Sequence, residues 1–467
     1  MASNRFNLIS LGCPKNRVDS ERILGVMTAA GFAYTEDPSS ANVVIVNTCA
    51  FIEPAVEESI DTILESRAAN RKAVLVVAGC LPLRYREDLT QPLPEVDLFL
   101  APERIADLPR LIAEIQSKGA GRTKRRAAGP AGQVGESEPE TIPCGAAAAA
   151  QAPRLRSRNQ AAPRRVLTTS GYAYLKIAEG CSRSCSYCTI PQIRGPLKSF
   201  DLEELVQEAE FLAAKGAKEL VLVAQDLTSY GRDRRKRSGL VSLLERVARV
   251  EGIKWVRLMY LHPDRVTSEL TAVIRDSETI LRYLDIPFQH VSSAVLRAMG
   301  RPWKGDPIRG LVDRLRKEIP GLVLRTTVMV GYPAEGEREF LELKDFVTSF
   351  QIERVGVFTY CPEENTRAMS LGDPVPQDVK EARAEELRSI HAAYTNRRNR
   401  GRIHHVEPVL VEGVSDETEL LLQGRTWDQA PEIDGVTYIT AGNAIAGEMH
   451  TVRITATHGP DLFGEIV

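Results

Sequence analysis

The feature that most constrains the fold of this 467-residue chain is a group of three cysteines that follows one short apolar segment in the sequence. The segment Tyr174–Ala178 has the composition of a buried strand. Directly after it come three cysteines with the spacing C-x3-C-x2-C: Cys181, Cys185 and Cys188. Thiolates are soft ligands that suit iron–sulfur clusters, and three in one loop can hold three irons of a [4Fe–4S] cube while the fourth iron stays open. A structural zinc loop is the alternative, although zinc usually takes four protein ligands.

Strand and helix alternate from Tyr172 to about Arg398, which predicts an open (β/α) barrel. Six apolar runs are separated by helical stretches such as Leu202–Lys215, and they lie at Tyr174–Ala178, Glu219–Val223, Trp255–Tyr260, Tyr283–Ile286, Val323–Met329 and Arg354–Thr359. Six βα units fall short of the eight in a full barrel. The cysteine loop would then lie at the C-terminal end of the first barrel strand, where such barrels build their active sites.

A second set of cysteines follows three strands of an N-terminal α/β region. Cys13 follows the apolar run Phe6–Leu11, and the same pattern recurs further along the chain with Val43–Asn47 before Cys49 and Ala73–Ala78 before Cys80. Parallel strands point their C-terminal ends to one edge of a sheet, so these thiols should converge there. They would form a second cluster site with an open iron. From spacing alone, three unrelated buried thiols remain an open alternative, because free cysteine is often buried.

Two changes in composition divide the rest of the chain. Residues 117–165 are rich in Gly, Ala, Pro and Arg and offer little to a core, so we predict a flexible linker; contact of its basic runs with RNA is the alternative. From about Gly401 the chain has short β-type runs that predict a small all-β barrel: Val406–Val411, Thr418–Leu422, Val436–Ile439 and His450–Ile454. The predicted domains are therefore 1–116, the linker 117–165, 166–398 and 399–467.

Charge and hydropathy place this chain among soluble proteins. The formal net charge is −2 at pH 7, so no whole-chain basic excess points to nucleic acid. We find no signal peptide and no apolar run long enough to span a membrane, and we expect a cytoplasmic protein without membrane association. In such a chain the eight cysteines are metal ligands or bystanders rather than disulfides. We treat Cys144 and Cys361 as non-ligands.

The loop from Glu179 to Cys188 resembles the signature of the radical S-adenosylmethionine superfamily, and Tyr187 stands where that family usually has an aromatic residue. The resemblance implies that the open iron chelates S-adenosylmethionine. An electron from the cluster then cleaves the sulfonium and generates a 5′-deoxyadenosyl radical. The family fold is a partial (β/α)6 barrel, in agreement with the strand pattern.

The N-terminal motifs resemble those of one group within that superfamily, the methylthiotransferases. The similar segments surround the three N-terminal cysteines and recur through the barrel, as Ser10–Asn16, Asn47–Ile52, Gly79–Leu81, Ala224–Asp226, Asp285–His290, Arg325–Thr327 and Val330–Pro333. The resemblance implies an auxiliary [4Fe–4S] cluster on Cys13, Cys49 and Cys80, and a C-terminal TRAM-like domain. It also implies candidate S-adenosylmethionine-binding residues: Tyr187, Gln225, Gln289 and Arg325. No residue is predicted as a catalytic acid or base.

The fold class implied is α/β: an N-terminal parallel-sheet α/β domain, a central partial (β/α)6 radical-SAM barrel and a small C-terminal all-β TRAM-like barrel. Several segments are similar to the branch that modifies an aspartate β-carbon in small-subunit ribosomal protein twelve, among them Leu11–Asn16, Cys80–Tyr85 and Gly424–Trp427. The alternative branch, which methylthiolates an adenosine of transfer RNA, usually has Gln-Met in place of Pro14-Lys15. Cys361 and Asn365 depart from the ribosomal-protein branch, which usually has Ser and Gly there.

The charge of the tail also favours a protein substrate. From Ile403 onward the chain has eleven acids against Arg425 and Arg453, which gives about −9 with histidine neutral. Such a domain repels RNA and attracts a basic partner, and we expect contacts from Glu417, Glu419 and Asp434. A solvated acidic surface is the alternative. The expected partners are the ribosomal protein and a flavodoxin- or ferredoxin-like electron donor. A non-catalytic iron–sulfur or zinc module is the competing hypothesis of another class.

Overall fold

The computed structural model of this chain describes residues 4–126, 164–165, 171–234, 239–301 and 307–467. They form two compact units, which are Met1–Leu167 with Gln192–Arg194, and Thr168–Pro191 with Gly195–Val467. Most of the predicted linker, including Cys144, lies outside the described residues. Its first ten positions, 117–126, are the end of a helix rather than linker. In the described part of the chain no helix is long and apolar enough to cross a membrane.

The first unit is built on a parallel five-stranded sheet in the order β2-β1-β3-β4-β5. Its strands are β1 (Arg5–Ser10), β2 (Ala33–Tyr34), β3 (Val43–Thr48), β4 (Val74–Gly79) and β5 (Leu98–Leu100). Its helices are α1 (Pro14–Ala29), α2 (Glu53–Ala69), α3 (Cys80–Tyr85) and α4 (Leu108–Arg126). Three short 3-10 turns complete it, at Pro38–Ser40, Arg86–Leu89 and Pro102–Asp107.

Alternate side chains of these strands enter two different apolar clusters. Val43 and Ile45 pack with residues of α1 and α4, whereas Val44 and Val46 pack with residues of α2. Both faces of β3 are therefore buried, which explains why its sequence is continuously apolar rather than alternating. The predicted α/β fold of this region is confirmed.

The second unit begins with a six-stranded parallel sheet in the order β13-β12-β11-β10-β9-β6. Its strands, with the short antiparallel pair β7 and β8, are β6 (Tyr172–Lys176), β7 (Ala178–Glu179), β8 (Lys198–Ser199), β9 (Glu219–Val223), β10 (Trp255–Leu258), β11 (Ile280–Asp285), β12 (Val323–Val330) and β13 (Arg354–Thr359). The helices of this region are α5 (Ile190–Ile193), α6 (Leu202–Ala214), α7 (Leu240–Val247), α8 (Ser268–Asp276), α9 (Ser293–Ala298), α10 (Pro307–Glu318), α11 (Glu337–Phe350) and α12 (Gln377–Arg400). The predicted partial barrel is confirmed.

The chain ends in a closed five-stranded barrel in the order β14-β15-β16-β18-β17. These strands are β14 (Val406–Val414), β15 (Leu422–Thr426), β16 (Thr437–Ala441), β17 (Met449–His458) and β18 (Asp461–Ile466). The strand predicted at Thr418–Leu422 is wrong except for its last residue, because residues 418–421 are the loop before β15, Leu420 in that loop is 91% exposed, and Leu422 begins β15. The strand Asp461–Ile466 was not predicted. Polar residues inside β15, such as the buried Arg425, conceal its apolar pattern.

Buried ion pairs join the C-terminal barrel to the (β/α) barrel within the second unit. Arg425 Nη2 lies 2.7 Å from Glu219 Oε2, and Glu219 Oε1 accepts a 2.5 Å hydrogen bond from Arg257 Nε. Asp428 pairs with three arginines, at Arg354, Arg398 and Arg402. Glu219 and Arg354 are the first residues of β9 and β13. The C-terminal barrel therefore docks at the N-terminal ends of these strands, opposite the end that carries the cysteine loop.

Candidate iron–sulfur cluster sites

The loop with the C-x3-C-x2-C motif lies between β7 and α5 and is held by backbone contacts within itself and with the segment after α5. Cys181 N donates to Gly195 O at 3.0 Å, and Cys188 N donates to Cys185 O at 3.3 Å. Gly180 has φ +71°, and a Cβ there would lie 2.3 Å from Pro196 O. Only glycine fits this left-handed position against another backbone segment. These contacts fix the course of the loop backbone.

The electrostatics of this loop show three thiols close together. Burial, together with the charges of Cys185 and Cys181, raises the pKa of Cys188 to about 12, against a backbone hydrogen bond from Ile190 that lowers it. Burial also raises the pKa of Cys181, against an N–H from Arg183 that donates to its Sγ at 3.4 Å. Thiols of this kind release their protons on binding metal, which compensates both burial and mutual repulsion.

Arg183, inside the cysteine motif, is fixed by an ion-pair network that sequence reasoning missed. Arg183 Nε lies 2.8 Å from Asp226 Oδ2, and its Nη1 lies 2.7 Å from Asp264 Oδ2. Asp264 also contacts His262 Nδ1 at 2.5 Å. Burial raises the pKa of Asp264, but hydrogen bonds from His262 and Arg183 outweigh it and hold that pKa well below its usual range. The only sequence signal for this network was the presence of a cationic residue, Arg183, inside the cysteine motif.

Three of the four predicted S-adenosylmethionine-binding residues lie near the C-terminal ends of the barrel strands. Tyr187 lies in the cysteine loop, and its hydroxyl accepts a 3.4 Å hydrogen bond from Arg301, which itself lies 3.8 Å from Cys185 Sγ. Gln225 follows β9 and donates to Glu179 at 3.4 Å, while its Oε1 is buried and accepts no hydrogen bond within the described part of the chain. Gln289 follows β11 with a left-handed φ of +70°.

Arg325, the fourth, lies elsewhere. It is near the N-terminal end of β12, where its Nη1 donates to Asp285 Oδ1 at 3.0 Å and its Nε lies 3.7 Å from Asp434 Oδ1 of the C-terminal barrel. It lines a cavity of about 400 Å³ with Arg354 and His391. The structure thus places Arg325 in the junction of the two barrels and not beside the cysteine loop.

The N-terminal cysteines lie at the ends of three adjacent strands. Cys13 precedes α1 after β1, Cys49 follows β3, and Cys80 begins α3 after β4. The positive φ of Gly12, +87°, brings its backbone so close that a Cβ would lie 3.1 Å from Cys49 Sγ. Parallel pairing of β1, β3 and β4 brings together cysteines that are far apart in sequence.

Charge interactions place these three thiols near one another. Burial raises the pKa of Cys49 to about 11, and the charges of Cys80 and Cys13 contribute in the same direction. Burial raises the pKa of Cys13 too, but the positive charge of Lys15, an N–H from Asn16 and the charge of Arg194 lower it below its ordinary value. Backbone N–H groups at cysteine sulfur are typical of iron–sulfur sites, where they stabilise the thiolate.

Buried amides support the same edge of the sheet. Asn16 Nδ2 donates to Thr48 O at 2.7 Å and to Leu11 O at 3.0 Å. Asn47 Nδ2 donates in return to Asn16 O and to Ser20 Oγ, both at 2.8 Å. These bonds tie together the loops that carry Cys13 and Cys49. They explain why asparagines, and not apolar residues, occupy these positions.

The donor chemistry of both cysteine sets suits a four-iron cube, because thiolates are soft ligands of the kind that iron–sulfur clusters take. Three sulfur donors with N–H groups directed at them fit a [4Fe–4S] cluster with one open iron at each site.

Comparison with known proteins identifies the family of this chain. Residues 5–101 match the model described as "Uncharacterized protein family UPF0004", residues 175–347 match the radical SAM superfamily, and residues 404–467 match the TRAM domain. The "Ribosomal protein uS12 methylthiotransferase RimO" of Trichlorobacter lovleyi is 43% identical, over 100% of this chain and 99% of the relative. The chain belongs to the uS12 methylthiotransferase family. It is therefore a radical S-adenosylmethionine enzyme of the methylthiotransferase type.

Other members of the uS12 methylthiotransferase family agree over the same length. The protein of the same name from Pelobacter propionicus is 44% identical over 99% of this chain and 98% of the relative, and that from Aquifex aeolicus is 41% identical over 98% and 96%. A radical S-adenosylmethionine methyltransferase, TsrM from Kitasatospora setae, shares the fold with a TM-score of 0.52 at 18% identity, over 76% of this chain and 73% of that one. The superfamily's cofactors are S-adenosylmethionine and a [4Fe–4S] cluster.

The three acids that we expected to bind a partner of this methylthiotransferase have different surroundings. Glu417 and Glu419 are exposed in the loop before β15. The Asp434 carboxylate is buried, and its Oδ2 accepts a 2.8 Å hydrogen bond from Tyr283 of the (β/α) barrel. Its charge is used inside the protein, as is that of Asp428, so the acidic surface is smaller than the sequence count of acids suggests.

Two departures from the branch pattern also have clear positions. Asn365 has φ +61°, the left-handed conformation that glycine adopts freely and that asparagine tolerates best among the other residues. Cys361 is exposed and lies outside both cysteine sets. The loop therefore accommodates Asn365 in a glycine-type conformation.

Proposed function

We propose that this enzyme methylthiolates the β-carbon of an aspartate side chain in ribosomal protein uS12. It uses two [4Fe–4S] clusters, and S-adenosylmethionine is both the methyl donor and the source of the radical. The observation that carries the proposal is the similarity over almost the whole chain to proteins named for uS12 methylthiotransfer. The two separate cysteine sets supply the donor atoms that two clusters need.

The two sites have different roles in this proposal. When bound, the clusters and S-adenosylmethionine supply a radical that removes hydrogen from an unactivated carbon and a methylthio group that replaces it, which acid–base groups cannot do. The loop cysteines bind the cluster that cleaves S-adenosylmethionine, and the strand-end cysteines bind the cluster that carries sulfur. Gln225 offers a buried acceptor, its Oε1, to a ligand bound at the barrel's C-terminal end.

Recognition of the substrate rests on charge. The exposed acids Glu417 and Glu419 attract a basic ribosomal protein and repel the phosphates of transfer RNA. A flavodoxin- or ferredoxin-like protein supplies electrons to the clusters. The reaction takes place in the cytoplasm, where the ribosomal protein is found.

One assay separates the alternatives. Anaerobically reconstituted enzyme is incubated with S-adenosylmethionine, dithionite and either small ribosomal subunits or bulk transfer RNA. Mass spectrometry should find a methylthio group on one uS12 aspartate, and chromatography should find 5′-deoxyadenosine. Modified adenosine together with unmodified uS12 would show that the substrate is transfer RNA and not the ribosomal protein. Absence of 5′-deoxyadenosine from enzyme that holds iron would favour a non-catalytic iron–sulfur module.

A further inference from the structure

Arg194 is part of the first unit, although it follows the loop cysteines in sequence. The short segment Gln192–Arg194 belongs to the same compact unit as the five-stranded sheet. Ile193, beside it, is buried in an apolar cluster with Val46 and Leu81. Burial of Ile193 anchors the backbone from which the Arg194 side chain extends.

The guanidinium of Arg194 contacts a thiol and its surroundings at once. Nε lies 3.3 Å and Nη2 3.1 Å from Cys80 Sγ, within hydrogen-bonding distance for sulfur. Nη2 also donates to Asn16 Oδ1 at 2.5 Å, and Nη1 lies 3.2 Å from Asp19 Oδ2. The side chain is only 3% exposed. The planar fork thus spans a cysteine, an amide and a carboxylate, a geometry that lysine cannot reproduce.

Burial makes this arrangement electrostatically important. Asp19 is as buried as Arg194, at 4% exposure, so the two charges form a pair out of contact with water. The cation therefore lies in a low-dielectric environment directly beside the Cys80 thiol, where it acts on that sulfur more strongly than it would in water.

We propose that Arg194 is a positioning residue for the strand-end cluster: Arg194 holds the Cys80 thiolate and raises the reduction potential of the cluster. The inference rests on the proposed function, which assigns a cluster to these cysteines. N–H donors and positive charge at a ligand sulfur stabilise the more negative, reduced cluster, so the potential rises. Asp19 opposes this effect, because its carboxylate neutralises part of the arginine charge.

The test uses the full chain with Cys181, Cys185 and Cys188 changed to Ala, so that only the strand-end cluster is present. Into this background go Arg194→Gln, Arg194→Lys and Asp19→Asn. The control is Arg67→Gln, which removes a largely buried arginine of the same unit that binds Asp97 and Glu95 O rather than a thiol. The readouts are iron content and the midpoint potential from a redox titration followed by electron paramagnetic resonance.

We expect a midpoint shifted to more negative values in Arg194→Gln, a smaller negative shift in Arg194→Lys, and a positive shift in Asp19→Asn. Arg67→Gln should leave the midpoint unchanged. If Arg194→Gln loses its iron altogether, the other two variants test the proposal. A negative midpoint shift in Arg194→Lys and a positive shift in Asp19→Asn would support it, and the opposite signs would overturn it.

Unchanged midpoints in all Arg194 and Asp19 variants that hold iron would overturn the proposal and leave a purely structural ion pair. Shifts of equal size in the Arg67 control would overturn it as well. Absence of iron from the background itself would instead refute the two-cluster function, so the two failures are distinguishable.

Discussion

The two cysteine sites achieve similar donor sets in opposite ways. The loop site takes all its sulfurs from Cys181, Cys185 and Cys188, and one strand end with its glycine turn shapes the whole loop. The strand-end site takes one sulfur from each of three strands that are adjacent only in the folded sheet. A metal site can therefore be as local as a motif or as distributed as the edge of a sheet. The second kind depends on correct folding of a whole domain.

The largest effects should come from removing each cysteine set. Wild-type enzyme should bind about eight irons in two four-iron clusters. Changing Cys181, Cys185 and Cys188 to Ala should halve the iron and abolish 5′-deoxyadenosine formation. Changing Cys13, Cys49 and Cys80 should also halve the iron, but should spare 5′-deoxyadenosine formation while abolishing methylthiolation. Methylthiolation that survives the second change would show that the strand-end site does not carry sulfur.

A glycine substitution should damage one site without removing any ligand. In Gly12→Ala the new Cβ would lie 2.8 Å from Cys49 Cβ and would strain a φ of +87°. We expect loss of strand-end iron and normal iron in the loop site. The matched control is Gly31→Ala, which has the same φ but no atom within 4 Å, so it should cost only about 1–2 kcal/mol of backbone strain. Equal iron loss in both variants would attribute the effect to strain alone.

Breaking the junction of the two barrels should affect only the unit that contains the loop site. Asp428→Asn leaves Arg354, Arg398 and Arg402 without their shared carboxylate, which should cost about 3–5 kcal/mol in the free energy of unfolding. Thermal unfolding should show a lower transition for the second unit, while strand-end iron is retained. Loss of iron from both sites would show that the two units do not unfold independently.

The same aspartate predicts a dependence of stability on pH. Burial raises the pKa of Asp428, but the charges of Arg402, Arg354 and Arg398 outweigh it and hold that pKa far below its ordinary value. A depressed pKa in the folded state stabilises the fold above the pKa of the unfolded chain, and this stability is lost as the pH falls below about 4. Acid titration of wild type and Asp428→Asn should show a smaller slope in the variant over that range.

The smallest effect should come from the exposed acids, which touch neither cysteine site. Changing Glu417 and Glu419 to Lys should weaken uS12 binding by a few-fold at low salt, because the attraction is long-range and screened. Iron content and 5′-deoxyadenosine formation should not change. The check is binding of uS12 measured at two salt concentrations. An affinity that changes neither with the charge reversal nor with salt would show that these acids do not determine substrate choice.

The cysteine loop, the order of the domains and the strand ends that carry Cys13, Cys49 and Cys80 could all be predicted from the sequence. These follow from short-range spacing and from the rule that parallel strands end at one edge. The strands of the C-terminal barrel were less predictable, because β15 contains the buried Arg425, whose partner Glu219 is distant in sequence. A polar residue in a strand cannot be recognised as buried without its partner.

The roles of the charged residues could not be predicted from the sequence, because they depend on contacts that form only in the folded protein. Asp434 and Arg325 have the composition of surface or ligand-binding groups, yet they lie together in the junction of the two barrels. Arg194 has no signal in the sequence beyond its charge, and the fold places it against Cys80. The physical reason is that an ionic side chain has no preferred depth of its own: burial costs free energy, and only an opposite charge or a hydrogen-bonding partner brought by the fold compensates it.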